Sequence, residues 1–206
     1  MTHQITDIVH SEQIHLKQIE YEDIPIAALN LDILTRDELE KFKQFKSDRR
    51  RREFYYTRVL FLSFNLAQKI IYKPTGKPTL EKGYISFSHS KNIIIAGFSQ
   101  LYELGVDIEF FKEKIERIAH KFIHESEEPL LGKNRITNLT NIWSLKEAIY
   151  KLEDIPGLRF KEDMQVQNFS PKGKIVVHKN NTVHTYRFST LFYPDYLITY
   201  SFLVKN

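Results

Sequence analysis

The chain has 206 residues, 42% of them hydrophobic and 27% charged, an ordinary globular balance with room for one large domain or two small ones. It contains no cysteine, which excludes disulfides, thiolate nucleophiles and cysteine-based metal sites, and no apolar run of the roughly 20 residues a bilayer span requires. Its 30 lysines and arginines exceed its 26 aspartates and glutamates by 4, a balance that suits an anionic ligand, an acidic protein partner or nucleic acid.

In chain order, Met1 to Val9 lacks the basic and apolar regions of a secretory signal, so a soluble cytoplasmic protein is expected. Ile14 and Leu16 alternate with polar neighbours, as in an opening strand. Thr35 to Glu38 reads as a capping box ahead of a short helix carrying Leu39, Phe42 and Phe45. A longer helix is predicted from Asp48 to about Ile71, with Tyr55, Val59, Leu62 and Leu66 on one face. Pro74, Gly76 and Pro78 then make a loop.

Strands are predicted over Tyr84 to His89 and Ile93 to Phe98, joined by a turn at Ser90-Lys91-Asn92, with a third over Leu104 to Glu109. Helical stretches follow around Lys114 to Phe122 and Asn141 to Leu152. The tail returns to strands over Lys174 to His178, Thr182 to Phe188 and Tyr196 to Val204, with turns at Pro171-Lys172-Gly173 and Asn180-Asn181. Helices and antiparallel hairpins alternating in two blocks indicate an α+β class, divided shortly after Glu109 if the chain has two halves.

Three segments carry chemistry. In Gly105-Val106-Asp107-Ile108-Glu109, strand alternation puts Asp107 and Glu109 on one face. Paired carboxylates repel unless a cation lies between them, and an oxygen-only set suits Mg²⁺; a solvent-facing charged strand edge fits the same residues. In Trp143-Ser144-Leu145-Lys146-Glu147-Ala148-Ile149-Tyr150-Lys151, Glu147 and Lys151 lie one helical turn apart. They are suited to a metal and a phosphate, or to a plain surface ion pair. Ser86-Phe87-Ser88-His89-Ser90, with Gly76-Lys77-Pro78 upstream, supplies hydroxyls, an imidazole and an ammonium of the kind that hold phosphate. A Ser–His hydrolase is disfavoured, since adjacent strand residues point apart and no Gly-x-Ser-x-Gly elbow is present.

Taken in order, Gly76-Lys77-Pro78, Ser88-His89-Ser90, Gly105 to Glu109 and Trp143-x-x-Lys146-Glu147-Ala148-x-x-x-Lys151 resemble the signature of 4′-phosphopantetheinyl transferases of the surfactin-synthetase-activating type. Arg50-Arg51-Arg52-Glu53-Phe54 with Arg58 is similar to that family's basic helix, and Phe122 to Glu128 to its Phe-x-x-x-Glu segment. Thr57 stands where Gly is usual before Arg58, and Ile85-Ser86 where Phe-Asn is common. The resemblance implies two similar halves, residues 1–110 and 111–206, related by a pseudo-twofold axis with coenzyme A between them. It implies Mg²⁺ on Asp107, Glu109 and Glu147, with Lys151 on the pyrophosphate. Lys77, Ser88 and His89 would hold the 3′-phosphate of coenzyme A, Arg51 and Arg58 would also contact coenzyme A, and Pro78 would line the base pocket. The serine of an acidic acyl, peptidyl or aryl carrier protein would be the acceptor, deprotonated by Glu147 or a metal-activated water. A monomer would suffice.

Other readings start from different residues. Arg49 to Arg52 with Tyr55 and Tyr56 is compatible with non-specific nucleic-acid binding, although Asp48 and Glu53 flank the run. A catalytically silent carrier-binding relative is disfavoured by the retained carboxylates and Lys151. His120 and His124 have metal-ligand spacing but lack a third ligand, and read as surface or packing residues. Phe110, Phe111 and Phe122 are candidates for a carrier contact, with core packing the stronger expectation.

Overall fold

The computed structural model describes residues 3–11, 13–169, 173–179 and 182–203. The turns expected at Pro171-Lys172 and Asn180-Asn181, and the strand end at Val204, lie outside them.

The first sheet is antiparallel and has four strands in the order β1-β2-β6-β5. These are β1 (His3–His10), β2 (His15–Tyr21), β5 (Tyr84–Ser90) and β6 (Ile93–Ser99). Between β2 and β5 come α1 (Arg36–Gln44), α2 (Asp48–Leu62) and a small hairpin of β3 (Ile71–Tyr72) and β4 (Pro78–Thr79). The second sheet contains β7 (Leu104–Phe110), β8 (Met164–Asn168), β9 (Gly173–Lys179), β10 (Thr182–Phe192) and β11 (Tyr196–Phe202), in the order β7-β11-β10-β9-β8. The short helices α3 (Ile115–Ile118) and α4 (Glu128–Leu131) lead into α5 (Arg135–Glu153).

Thr35 caps α1 in a capping box with Glu38, as the sequence predicts. Helix α2 stops at Leu62, not near Ile71, because Asn65 adopts a left-handed φ of 53° that a continuing helix does not accept. Of the predicted face, Tyr55 is buried and Val59 packs against the same core, but Leu62 is 50% exposed, and the deepest positions are Tyr56 and Leu60. Around Lys114 to Phe122 the chain forms only α3 and a 3-10 turn, while α5 begins six residues before Asn141. Strands β1, β8 and the short β3–β4 pair, the last at the edges of the expected Pro74–Pro78 loop, have no counterpart in the sequence expectations; β1 is an edge strand and only partly buried.

Helix α2 packs on one face of the first sheet, its Tyr56 and Leu60 against Ile19, Ile94 and Ala96. The opposite face, with Leu16, Ile93 and Ile95, meets Leu104, Val106, Ile108 and Ile198 of the second sheet. Strand β6 is therefore buried on both sides, which explains its continuous apolar run. Helix α5 covers the second sheet through Leu139, Ile142, Leu145 and Ile149.

Although β7 precedes α5 in sequence and follows β6 directly, its backbone ladder is with β11, from Leu104↔Phe202 to Phe110↔Tyr196. Gly105 lets α5 lie directly on this strand. A Cβ there would stand 1.8 Å from the carbonyl oxygen of Ala148 and 2.8 Å from its carbonyl carbon, which no side-chain rearrangement can relieve. Gly105→Ala should therefore force α5 off β7 and destabilise the protein by about 3 kcal/mol or more, the upper range for overpacking. Urea unfolding checks this through the midpoint.

Candidate active site at the junction of two sheet edges

Strand β5 ends one sheet and β7 the other, and side chains link them. Ser86 and Ser88 share a face of β5, as alternation requires, and both are buried. The backbone N–H of Val106 donates to Ser86 Oγ at 3.1 Å, and the Val106 carbonyl accepts from Lys151 Nζ at 3.1 Å. The open side of this buried edge strand is thus satisfied at Val106 by side chains in place of a neighbouring strand.

One residue further along β7, Asp107 is 4% exposed. Its Oδ1 accepts from Lys151 Nζ at 2.7 Å and from Ser88 Oγ at 2.8 Å, and Lys151 also donates to Ser88 Oγ at 2.8 Å. Among the described residues Asp107 Oδ2 has no donor, although it is buried. Glu109, two residues on and on the same face, accepts from Trp143 Nε1 at 3.0 Å. Burial and the neighbouring Asp107 push its pKa upward. Glu147, one turn before Lys151 on α5, is pushed up to about 7 by burial and then by Asp107, with Lys151 opposing and Glu109 adding.

The three carboxylates expected from the sequence therefore act on one another electrostatically, and Lys151 supplies positive charge beside them. Among the described residues no three histidine, aspartate or glutamate side chains are grouped closely enough to hold an ion. In chemistry the set still fits a hard cation: its donors are carboxylate oxygens, and one of them is buried without a partner.

A cavity of about 470 Å³ opens beside Lys151. The β3–β4 hairpin lines it with Gly76, Lys77 and Pro78, and the end of α5 with Tyr150 and Asp154. Lys77 is already engaged, donating to Glu103 Oε1 at 2.6 Å and to the Leu152 carbonyl. Lys73 pairs with Asp154 at 3.2 Å, so the hairpin is tied to the helix that carries Glu147 and Lys151.

A second cavity of about 310 Å³ shares Gly76, Pro78 and Phe87 with the first and gathers Lys41, Arg50, Arg58 and His89 around the single carboxylate of Glu53. Arg58 pairs with Glu38 at 2.5 Å and stacks 4.2 Å from the Phe54 ring, and its Nη1 is buried without a partner among the described residues. His89 lies 3.4 Å from Arg50 and 3.6 Å from Glu53. Partial burial holds its pKa below the usual histidine value; Glu53 opposes this and Arg50 adds to it. Arg51 pairs with Asp48 and lines neither cavity; the neighbouring Arg50 faces His89 instead. The rest of the arginine run is also occupied, Arg49 and Arg50 on Glu53 and Arg52 on the Ile24 carbonyl.

Behind α5 lies a pair that sequence reasoning missed. Lys146, fully buried, donates to Glu127 Oε2 at 2.7 Å and to the carbonyls of Phe122 and Phe160. Glu127 accepts further from the N–H groups of His124 and Val166, both at 2.7 Å. The signal was His124-x-x-Glu127, a capping box in which His124 also caps Ser126. Phe122 is fully buried, so of the three phenylalanines it belongs to the core.

Residues 103–201 match the family model of the 4′-phosphopantetheinyl transferase superfamily. That segment carries Asp107, Glu109, Glu147 and Lys151, whereas Lys77, Ser88 and His89 lie before it. No curated protein sequence matches the chain. The helix and sheet content fits the α+β class, and among the described residues no helix is long and apolar enough to cross a membrane.

Two outcomes follow from the charges. Lys146→Met leaves Glu127 as a buried, unpaired carboxylate and should cost about 3–5 kcal/mol in thermal or urea unfolding. For Glu147, the folded pKa of about 7 exceeds the ordinary 4.5, so the folded state keeps a proton that the unfolded state releases. The stability this gives is fully present below about 4.5 and lost as pH rises through about 7. In EDTA, Glu147→Gln should come close to the wild type near pH 4.5 and exceed it by about 3 kcal/mol at pH 8, read from unfolding midpoints across pH.

Proposed function

We propose that this protein transfers the 4′-phosphopantetheine group of coenzyme A to a serine of an acyl, peptidyl or aryl carrier protein, with Mg²⁺. The observation that carries the reading is the buried Asp107–Lys151 contact, flanked by Glu109 and Glu147, inside the segment that matches the transferase family. The serine oxygen attacks the β-phosphorus, the bond to the nucleotide breaks, and adenosine 3′,5′-bisphosphate leaves. The serine proton passes to Glu147 or to solvent.

Asp107, Glu109 and Glu147 would hold Mg²⁺, which when bound offsets the charge of the pyrophosphate. Lys151 stabilises negative charge growing on the departing nucleotide, a task of placed charge rather than covalent chemistry. The cleft beside Pro78 suits the adenine end, and the basic cavity of Lys41, Arg50, Arg58 and His89 suits the 3′-phosphate. Two pseudo-symmetric halves in one monomer complete the reading, with the division before β7 rather than after residue 110, because β7 pairs with β11 in the second sheet. A cytoplasmic setting goes with this reading.

Intact mass spectrometry of apo carrier proteins incubated with the protein, coenzyme A and Mg²⁺ tests the proposal. One phosphopantetheine should be gained per carrier and the gain lost in EDTA. Asp107→Ala and Glu147→Gln should abolish it, and Lys151→Ala should slow it by about a hundredfold or more. No gain on any carrier, with no coenzyme A binding by calorimetry, would refute the transferase reading.

A further inference from the structure

We infer that Trp143 is a positioning residue for Glu109, its indole N–H fixing one carboxylate oxygen and leaving the other for the cation; the inference rests on the transferase reading above. Trp143, Glu147 and Lys151 recur every four residues on α5, so they share one face of the helix. Helix and strand run in opposite senses there, since Trp143 reaches Glu109 while Lys151 reaches Asp107. Each carboxylate of β7 thus has its own donor on α5, a cation for Asp107 and a neutral N–H for Glu109.

Among the described residues Trp143 Nε1, 3.0 Å from Oε1, is the one hydrogen-bond donor to the Glu109 side chain. An indole nitrogen donates and does not accept, so the contact has a single polarity. The ring is itself held in place, edge-on to the buried Phe122 at 5.1 Å and against Phe160 at 5.3 Å. Glu109 also borders a cavity of about 300 Å³ with Phe110, Lys112 and Ile115, which gives an untethered carboxylate room to turn. A fixed, uncharged donor orients the group without neutralising it, so its attraction for a cation is kept. Groups that hydrogen-bond a ligating carboxylate orient it, and their loss commonly weakens metal binding by about 10–100-fold.

Trp143→Phe keeps an aromatic ring and deletes the N–H. It should weaken Mn²⁺ binding about 10-fold or more, measured by calorimetry with and without coenzyme A, while coenzyme A affinity in EDTA stays at the wild-type value. In a Glu109→Ala background the same substitution should add little, because Trp143 acts through Glu109. Trp143 is the chain's only tryptophan, so the protein has a single indole N–H resonance. In the wild type that resonance should stay protected from solvent exchange when Mg²⁺ and coenzyme A are added. Glu109→Ala should shift it and speed its exchange, a readout that needs no Trp143 variant to fold. Unchanged Mn²⁺ affinity in Trp143→Phe, an equal loss in both backgrounds, or an indole resonance indifferent to Glu109→Ala would overturn the inference. Weakened Mn²⁺ binding in Trp143→Phe, when the wild type modifies no carrier, would sink the transferase reading and leave the positioning role standing. Carrier modification by the wild type, with undiminished Mn²⁺ affinity in Trp143→Phe, would do the reverse.

Discussion

Lys151 holds together what would otherwise be two sheets with exposed polar edges. Its ammonium has three donors, and they go to the Val106 carbonyl, Ser88 Oγ and Asp107 Oδ1. One contact is to β7 backbone, one to β5 and one to the buried carboxylate, so a single side chain from α5 fixes three elements at one point. The geometry is available because Gly105, one residue before Val106, gives the helix no side chain to climb over. Close approach, edge satisfaction and carboxylate placement are therefore one constraint.

The arrangement is expensive in electrostatic terms. Asp107 is buried, Glu109 and Glu147 are both pushed toward protonation, and each feels the others. A core designed for stability alone would place apolar groups there, as α5 does on its other face with Leu139, Ile142 and Leu145. The compensating strength lies behind the helix. Glu127 and Lys146 are fully buried yet saturated with hydrogen bonds, anchoring α5 to the loop before α4, to Phe160 and to β8. Because Lys146 and Glu147 are adjacent in the chain, the rigid pair and the strained carboxylate are held by the same turn of helix.

What the sequence made legible was the chemistry of short-range patterns. The two-residue spacing of Asp107 and Glu109 in a strand, and the four-residue spacing of Glu147 and Lys151 in a helix, each place their pair on one face whatever the fold around them. The Thr35–Glu38 capping box is local for the same reason. What stayed hidden depends on distant partners. That β7 pairs with β11 and not with β6 follows from burial across both sheets, which strand propensity does not encode. The end of α2 turned on one left-handed residue, Asn65, in an otherwise helix-compatible stretch. The partners of Lys77, Glu103 and the Leu152 carbonyl, lie far along the chain, so sequence pattern alone shows only an ammonium suited to phosphate.

The serine-histidine segment shows how strand alternation sorts a short motif. Alternation argues against Ser88 and His89 acting as a nucleophile and base, because their side chains leave opposite faces of β5. On one face of β5, Ser86 and Ser88 join the buried junction with β7; on the other, His89 meets Arg50 and Glu53. A single motif thus serves two environments, one buried against β7 with Asp107 and Lys151 and one in which Arg50 and Glu53 face an imidazole.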